Sequence, residues 1–332
     1  MTEPAKTDEM PYPVYSSQTK DNGLMGYYKD YLYEDAITWT TDGANAGTVN
    51  YRAGKFYCTN VCGVLLSNEV TANQMIAEAL NNVAKGYVSY VGNPKLMNNV
   101  MADIEIMIPT HAEEREKLSV FFRNLDNLIT LHQKKFEQLT ILKKYMLQKM
   151  FPQNGSDKPE IRFDGFTDDW EQRKLSDVVD VRSGRDYKHL EEGDIPVYGT
   201  GGYMLSVSEA LSDDEDAIGI GRKGTIDNPY ILRAPFWTVD TLFYAVPREK
   251  HDLNFVYGIF QNINWNAKDE STGVPSLSKA TINAVSTMTP DYEEQRLIGE
   301  YFSNLDHLIT LHQQKCDELR NAKKFMLQNM FI

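Results

Sequence analysis

The sequence is poor in cysteine, in basic charge and in long apolar runs, and each shortage excludes a class of protein. Its 3 cysteines are too few for a disulfide framework, and Cys58, Cys62 and Cys316 lack zinc-site spacing. We therefore expect reduced thiols and a cytoplasmic protein. No apolar run approaches the ~20 residues of a membrane span, and residues 1–6 lack the apolar core of a signal peptide.

Basic residues are outnumbered by acidic ones, 34 to 47, which gives a formal net charge of −13. That balance argues against general binding of polyanions, but it leaves room for DNA recognition by local basic loops. Hydrophobic residues make up 42% of the chain and aromatic residues 11%, which is enough to build folded cores and excludes global disorder. The length of 332 residues predicts two to four folded units.

The chain repeats itself. Residues 121–151 and 301–331, aligned at an offset of 180, are identical at 19 of 31 positions. Apolar residues recur every three or four positions in both copies, so each predicts a long helix, over 111–151 and 291–331. The apolar stripe of the first copy includes Leu142. We predict that the helices pack antiparallel through the following stripe residues: Leu125, Ile129, His132, Leu139, Met146, Leu305, Ile309, His312, Leu319 and Met326.

A fainter repeat precedes each helix and defines two divergent modules, in which Asp35-Ala36-Ile37 matches Asp216-Ala217-Ile218. Composition and breaker residues predict short strands over 217–220, 236–239 and 241–246, and short helices over 73–83 and 253–263. Residues 152–159 have the composition of a linker. The predicted class is α+β, in four parts: a first module over 1–109, a long helix over 110–152, a linker and second module over 153–289, and a second long helix over 290–332.

The two modules differ at their start. The second has 34 residues, 161–194, before Ile195-Pro196, whereas the first has 11 before Tyr12-Pro13. The first module is therefore expected to lack its opening segment. Four residues of that segment in the second module have the spacing of core residues: Trp170, Leu175, Val178 and Val179.

Three motifs suggest enzymes, and each is weak. Residues 219–224 match G-x-G-x-x-G, but a phosphate loop needs a helix next, and 225–229 are unsuited to one. Residues 227–230, Asp-Asn-Pro-Tyr, resemble the signature of amino-methyltransferases without its second proline or a companion glycine-rich motif. His132 and His312 are better explained as a polar notch that fixes helix register than as ligands or catalytic groups.

Aromatic and basic residues alternate in the loops, where they are suited to contact phosphates and base edges. The alternative is an ordinary solvated surface, but divergent loops on closely similar helices favour recognition. The candidate DNA-binding residues are Arg182, Ser183, Arg185, Tyr187, Lys188, Tyr198, Thr200, Tyr203, Arg222, Lys223, Thr225, Ser276 and Lys279 in the second module, and Tyr15, Ser16, Thr40, Asn45 and Lys95 in the first. No catalytic or metal-binding residues are predicted.

Two modules that alternate with a repeated helix resemble the specificity subunit of a type I restriction–modification system. Three phrases carry the resemblance besides the order of parts: FTDDWEQRKL at 166–175, TGVPSL at 272–277 and PDYEEQR at 290–296. The resemblance covers essentially the whole chain, apart from the shortened first module.

This resemblance implies that each module is a target-recognition domain for one half of a split DNA site. It also implies a pseudo-two-fold repeat in which two antiparallel coiled-coil helices act as a ruler. A continuous helix over residues 111–150 would be ~60 Å long, close to two turns of duplex at ~34–36 Å each. The chain itself would bind no cofactor. Two modification subunits would bind S-adenosylmethionine and methylate adenine, and restriction subunits would use ATP and Mg²⁺ to cut DNA.

Two other classes of protein stay open. One is a coiled-coil scaffold that does not read DNA, which sequence-specific DNA binding by the assembled complex would exclude. The other is a degenerate nucleotide- or S-adenosylmethionine-binding enzyme, which binding of either cofactor to the isolated chain would favour.

Overall fold

The computed structural model describes residue 2 and residues 4–17, 20–153 and 155–331. The chain divides into two compact units: unit 1 comprises Met1–Lys134 with His312–Ile332, and unit 2 comprises Lys135–Leu311. Asn154 of the predicted linker lies outside the described residues, and the rest of 152–159 forms neither helix nor strand. No helix in the part of the chain just delimited has the length and apolarity of a membrane span.

Unit 1 is built on a five-stranded sheet followed by helices. Its elements are β1 (Tyr12–Tyr15), β2 (Leu24–Tyr28), β3 (Tyr33–Thr40), β4 (Val49–Cys58), β5 (Cys62–Leu65), α1 (Gln74–Ala84), α2 (Asn98–Ala102) and the first part of α3 (Ala112–Lys149), with 3-10 turns over Lys20–Gly23 and Lys85–Tyr87. The strand order is β2-β1-β4-β3-β5, which leaves β5 at an edge. Only β1 and β4 pair in parallel among the described neighbours; the other pairs are antiparallel.

The core of unit 1 lies between the sheet and α1. The Asn73 side chain caps α1 by accepting a hydrogen bond from the Ile76 amide at 3.0 Å. Met75, Ile76 and Leu80 are then buried on one face of the helix, where they join Ile37 and Trp39 of β3. The predicted helix over 73–83 is therefore confirmed, with bounds of Gln74–Ala84.

The expectation of reduced thiols is wrong for one pair, because Cys58 and Cys62 form a disulfide. A tight turn between β4 and β5, closed by the Cys62 amide donating to Thr59 O at 3.0 Å, brings the two Cα atoms to 5.9 Å. That separation is within the range that a disulfide requires. Cys316 is a free, buried thiol whose Sγ lies 3.6 Å from Ile129 O.

Unit 2 contains three small sheets. Its elements after α3 are β6 (Glu171–Lys174), α4 (Leu175–Val178), β7 (Val179–Ser183), β8 (Glu192–Gly199), β9 (Gly202–Val207), β10 (Ala217–Gly221), β11 (Tyr230–Leu232), β12 (Trp237–Thr238), β13 (Leu242–Pro247), α5 (Leu253–Asn262), α6 (Lys279–Ala284), β14 (Ser286–Thr289) and the first part of α7 (Tyr292–Met330), with a 3-10 turn over Trp265–Lys268. The strand orders are β11-β10-β13-β7, β12-β8-β9 and β14-β6.

The opening segment of the second module is part of the core of unit 2, as predicted. Leu175, Val178 and Val179 are fully buried, and Trp170 is almost so. They join the main apolar cluster of this unit together with Phe255 of α5. Burial of each such side chain contributes ~1.5–3 kcal/mol, so the segment supplies much of the stability of unit 2.

The two long predicted helices are present as α3 and α7, of 38 and 39 residues. In unit 1, Asp126 pairs with Lys323 at 2.6 Å and His132 Nδ1 lies 2.9 Å from His312 Nδ1, so the helix segments of unit 1 run in opposite directions. In unit 2, Lys143 pairs with Asp306 at 2.6 Å.

One part of the predicted apolar stripe is wrong. Leu142 is 40% exposed, whereas the stem of Lys143 is largely buried and its ammonium group reaches Asp306. Lys323 occupies the equivalent place in unit 1, where it meets Asp126 and the buried Glu78. Burial raises the pKa of the Glu78 carboxyl, and Lys323 acts in the opposite direction. All ten predicted pairing residues are buried or half-buried.

Candidate nucleic-acid interface

A cleft of about 560 Å³ in unit 2 brings together five of the candidate DNA-binding residues: Ser183, Arg222, Lys223, Ser276 and Lys279. Phe243, Glu270, Leu277 and Ser278 complete its lining. We call this group the basic cleft. Ser183 ends β7, Arg222 and Lys223 follow β10, and Lys279 opens α6, so three separate elements supply its polar groups.

The turn that carries Arg222 and Lys223 is held by backbone hydrogen bonds on both sides. The Arg222 amide donates to Thr241 O at 2.8 Å, and the Gly224 amide donates to Pro275 O at 2.8 Å. Leu277 N then donates to Arg222 O at 3.0 Å. The segment is therefore an anchored turn. A Cβ at Gly221 would lie 1.9 Å from Thr225 O, so glycine is required there by close backbone approach.

Cations surround an aromatic floor in the basic cleft. Arg222 Cζ lies 5.7 Å and Lys279 Nζ 6.0 Å from the ring centre of Phe243. Arg222 and Lys223 are exposed, and neither forms an ion pair among the described residues. Arg222 Nη1 donates one hydrogen bond, to the backbone oxygen of Asp240 at 3.3 Å. Their charges are therefore available to a phosphate or to a guanine edge.

The far wall of the cleft is ordered by two acidic residues. Asp269 accepts hydrogen bonds from the amides of Ser271 and Ser276, both at 2.9 Å. These donors hold the pKa of the Asp269 carboxyl below its usual value. Glu270 accepts from the hydroxyls of Ser278 and Thr281. The acidic side chains therefore position the turn that presents Ser276 and Lys279.

Other candidates of the second module lie outside this cleft. Arg182 is held by Glu215 at 2.5 Å and Asp180 at 2.7 Å, which raise the pKa of its guanidinium. Tyr187, Lys188 and Tyr203 line a separate open depression that also contains Glu191 and Glu192. The remaining candidates are distributed as follows: Tyr198 is half-buried beside Tyr230, Thr200 lies next to Gly224, and Arg185 and Thr225 are exposed.

The first-module candidates are dispersed and mostly engaged with their neighbours. Tyr15 lies under the buried guanidinium of Arg52, whose Cζ is 3.8 Å from the ring centre. Thr40 is buried, Ser16 and Asn45 are half-buried, and Lys95 lies 3.4 Å from Asp42.

Unit 1 nevertheless contains a turn with the same backbone bonds as the basic turn of unit 2. Gly43 N donates to Pro94 O, and Leu96 N donates to Thr41 O, both at 2.9 Å. Thr41 and Asp42 thus stand where unit 2 has Arg222 and Lys223. Both turns end on a glycine with positive φ, +90° at Gly43 and +95° at Gly224.

Sequence reasoning missed Phe243, Glu270 and Ser278 of the basic cleft. Phe243 was assigned to a strand, and its role as the floor depends on tertiary packing. The ion-paired residues Asp126, Lys143, Asp306 and Lys323 were also missed, although a signal existed, because all four are unchanged between the two copies of the repeat.

Comparison with known proteins agrees with this architecture. The family described as type I restriction modification DNA specificity domain matches residues 2–140 and 167–321. The chain therefore belongs to that family. Specificity subunits are the non-catalytic, DNA-recognising components of type I restriction–modification systems, and family membership assigns that role to this chain.

Individual relatives cover different shares of the chain. A putative type I specificity subunit from Mycoplasma pneumoniae is 25% identical over 320 residues, which is 92% of this chain and 84% of the relative. A second protein from that organism, a putative specificity subunit N-terminus, is 47% identical over 98 residues; the match spans 29% of this chain and about half, 52%, of that relative. The solved S subunit from M. genitalium has the same fold, with a TM-score of 0.76, 16% identity, and coverage of 100% of this chain and 92% of that one.

Proposed function

We propose that this chain reads a bipartite DNA site, with the module of each unit contacting one half of the site. The observation that carries the proposal is the basic cleft, where Arg222, Lys223 and Lys279 converge around Phe243. The turn of unit 1 keeps the same backbone bonds but presents Thr41 and Asp42. One scaffold with two sets of side chains is suited to reading two different sequences.

The long helices support a second part of the proposal. We assign them to an antiparallel coiled coil with internal pseudo-two-fold symmetry, which sets the spacing between the half-sites. Asp126 with Lys323 and Lys143 with Asp306 use the same two repeat positions in reciprocal order, at one distance of 2.6 Å. Reciprocal contacts of this kind are expected of an isologous pairing.

As a specificity subunit, the chain assembles with DNA and with other subunits of its system. The finer composition is part of the proposal: two modification (methyltransferase) subunits, and restriction (endonuclease and translocase) subunits. S-adenosylmethionine, ATP and Mg²⁺ are assigned to those partners, and the complex to the cytoplasm. A nucleotide site on this chain is not favoured, because no helix follows the G-x-G-x-x-G turn within residues 222–229.

The test replaces both cations of the anchored turn, Arg222→Ala with Lys223→Ala, in the complex with modification subunits. DNA affinity is expected to fall, because contacts between these cations and phosphates are lost. Each lost contact should also reduce the slope of log K against log salt by about one unit. If one side chain reads a guanine, discrimination at that base pair should fall by ~1–3 kcal/mol. Titrations of cognate and scrambled duplexes at two salt concentrations distinguish the two cases.

The matched control removes two exposed basic residues of α7, Arg296→Ala with Lys315→Ala. Both are ion-paired along their own helix, so the control changes net charge equally without altering the basic cleft. Equal affinity and equal salt slopes for the cleft variant and the wild type would reject the proposed interface. A circular dichroism melt of each variant verifies that both remain folded.

A further inference from the structure

The edge strand of unit 1 has no neighbour where the matching strand of unit 2 has one. Strand β5 pairs antiparallel with β3, with Leu65 opposite Ile37. In unit 2, β13 pairs in the same way with β10, with Ala245 opposite Ile218. The other edge of β13 is covered by β7, which places Val181 opposite Ala245. Strand β5 ends its sheet instead.

A second segment of unit 1 also has the form of a strand without a partner. Residues 104–108 alternate in exposure: Ile104, Ile106 and Ile108 point inward, whereas Glu105 and Met107 are exposed. No strand pairs with them within the described ranges. In unit 2 the corresponding place is held by β14, which pairs with β6 from Ser286↔Lys174 to Thr289↔Glu171.

An apolar groove of about 310 Å³ lies between these two unpaired segments. It is lined mainly by aliphatic side chains of β3, β5, α1, α2 and the 104–108 segment: Ile37, Leu65, Leu66, Ile76, Leu80, Met101, Ile104, Ile106 and Ile108. We call it the acceptor groove. Leu66 at its rim is 69% exposed, and it continues the apolar lining of the groove to the surface.

Unit 2 shows what fills such a groove. There, residues 170–183 run as β6, α4 and β7, and they bury Leu175 and Val178 completely. The segment is fixed at both ends of α4, by Leu175 N donating to Val285 O at 2.8 Å and by Arg248 N donating to Val178 O at 2.9 Å. The surrounding residues, such as Ile218 and Ile282, are then fully buried.

We propose that the acceptor groove of unit 1 binds a strand–turn–strand segment donated by a separate polypeptide. The donated segment would have the chemistry of residues 170–183, which is an aromatic residue followed by the pattern L-x-x-V-V-x-V. One of its strands would pair with β5 and the other with residues 104–108. Added strands of this kind bind through main-chain hydrogen bonds, and alternate side chains fill the pockets.

A second copy of this chain is a poorer donor. Each copy contains one segment 170–183, and that segment is already buried in its own unit 2. Its transfer to unit 1 of another copy would open one groove for each groove that it closed. A donor with no groove of its own avoids that cost.

The experiment uses the full chain and a synthetic peptide with the sequence of residues 167–185. In the free chain, hydrogen exchange should be rapid at 104–108 and at the amides of 62–66 that face away from β3. Saturating peptide should slow exchange at these amides at least ~10-fold, since strand pairing protects amides. Exchange at 286–289 should not change, because β14 is already paired. A version of the chain that carries a second copy of 161–183 on a flexible linker ahead of residue 2 should show the same protection without added peptide, because the tether raises the effective concentration.

Two substitutions test the groove itself. Leu66→Glu should weaken peptide binding at least ~10-fold, a change of about 1.4 kcal/mol, whereas Val91→Glu, at a side chain 93% exposed in the same unit, should not. Peptide with Leu175→Asp and Val178→Asp should not bind.

Three results would overturn the proposal. The first is exchange in the tethered version that stays rapid at 104–108 and at the amides of 62–66 that face away from β3. The second is protection in the free chain that rises with protein concentration alongside dimer formation in sedimentation, which would identify a second copy as the occupant. The third combines two measurements on the protein from its source organism: an intact mass that shows residues ahead of position 1, and slow hydrogen exchange in the groove of that protein.

Discussion

In unit 2, Arg182 is enclosed by two carboxylates, whereas Arg222 lies beside an aromatic ring. Both residues were candidates because basic side chains in loops attract phosphate. Asp180 and Glu215 neutralise Arg182 locally, at 2.7 and 2.5 Å. Arg222 instead lies beside the ring of Phe243, and no carboxylate among the described residues forms an ion pair with it. The structure thus separates two residues that the sequence treats alike.

This difference leads to a prediction for Arg182→Ala. Because its charge is already balanced, its removal should leave the salt dependence of DNA binding unchanged within about 0.3 units of slope, whereas Arg222→Ala should lower it by about 1. Fluorescence anisotropy over a range of salt concentrations measures both. A slope change for Arg182→Ala as large as that for Arg222→Ala would contradict the assignment.

Prediction at the residue scale named candidate residues but could not supply their neighbours. Ser183, Arg222, Lys223, Ser276 and Lys279 were chosen as isolated loop residues, and the fold gathers them into one cleft. The acidic residues that order this cleft could not be inferred, because Asp269 and Glu270 act through contacts with chain segments whose approach depends on tertiary structure. The close approach at Gly221 is likewise invisible in the sequence.

At the scale of elements, the strongest sequence signal was the repeat, and it located α3 and α7 to within about two residues. The short helices predicted over 73–83 and 253–263 correspond to α1 and α5. The error at Leu142 has a physical cause: a lysine can bury its aliphatic stem and still place its charge on a partner. Lys143 does so with Asp306, and a pattern of apolar residues does not reveal it.

The cross-helix ion pairs yield a prediction at this scale. Lys143 is largely buried and Asp306 is partly exposed, so Asp306→Ala should destabilise unit 2 by ~1–3 kcal/mol, between the values for surface and buried pairs. The exchange Lys143→Asp with Asp306→Lys should recover part of that loss relative to either single charge reversal. Urea denaturation of the wild type, the two single charge reversals and the double exchange gives the coupling energy.

Purely additive free energies of unfolding for the two charge reversals would show that the contact contributes nothing. Arg296→Ala provides a matched control on the same helix, since Arg296 is exposed and pairs with Glu293 and Glu300 of its own helix. That substitution should cost less than ~0.5 kcal/mol.

At the scale of the whole molecule, the proposed ruler makes a prediction about DNA. Deletion of seven residues from each long helix preserves the apolar stripe and shortens each helix by ~10.5 Å. The recognised spacer should then shorten by ~3 base pairs, at ~3.4 Å per base pair, while both half-sites keep their sequences. Methylation mapping in cells that carry the complex reads the spacer directly. Loss of methylation despite a folded, assembled complex, or an unchanged spacer, would argue against a ruler.

Unit 1 draws on two distant parts of the chain, since it combines residues up to Lys134 with those from His312 onward. A nascent chain emerges from the ribosome in order, so unit 2 is contiguous and complete while unit 1 still lacks half of its helix pair. About 200 residues separate Lys134 from the end of α7, a delay of ~10–40 s at ordinary rates of synthesis. The unit whose module is translated first is therefore the last that can finish folding. During this delay its apolar surface is exposed to chaperones and to partners that bind during translation.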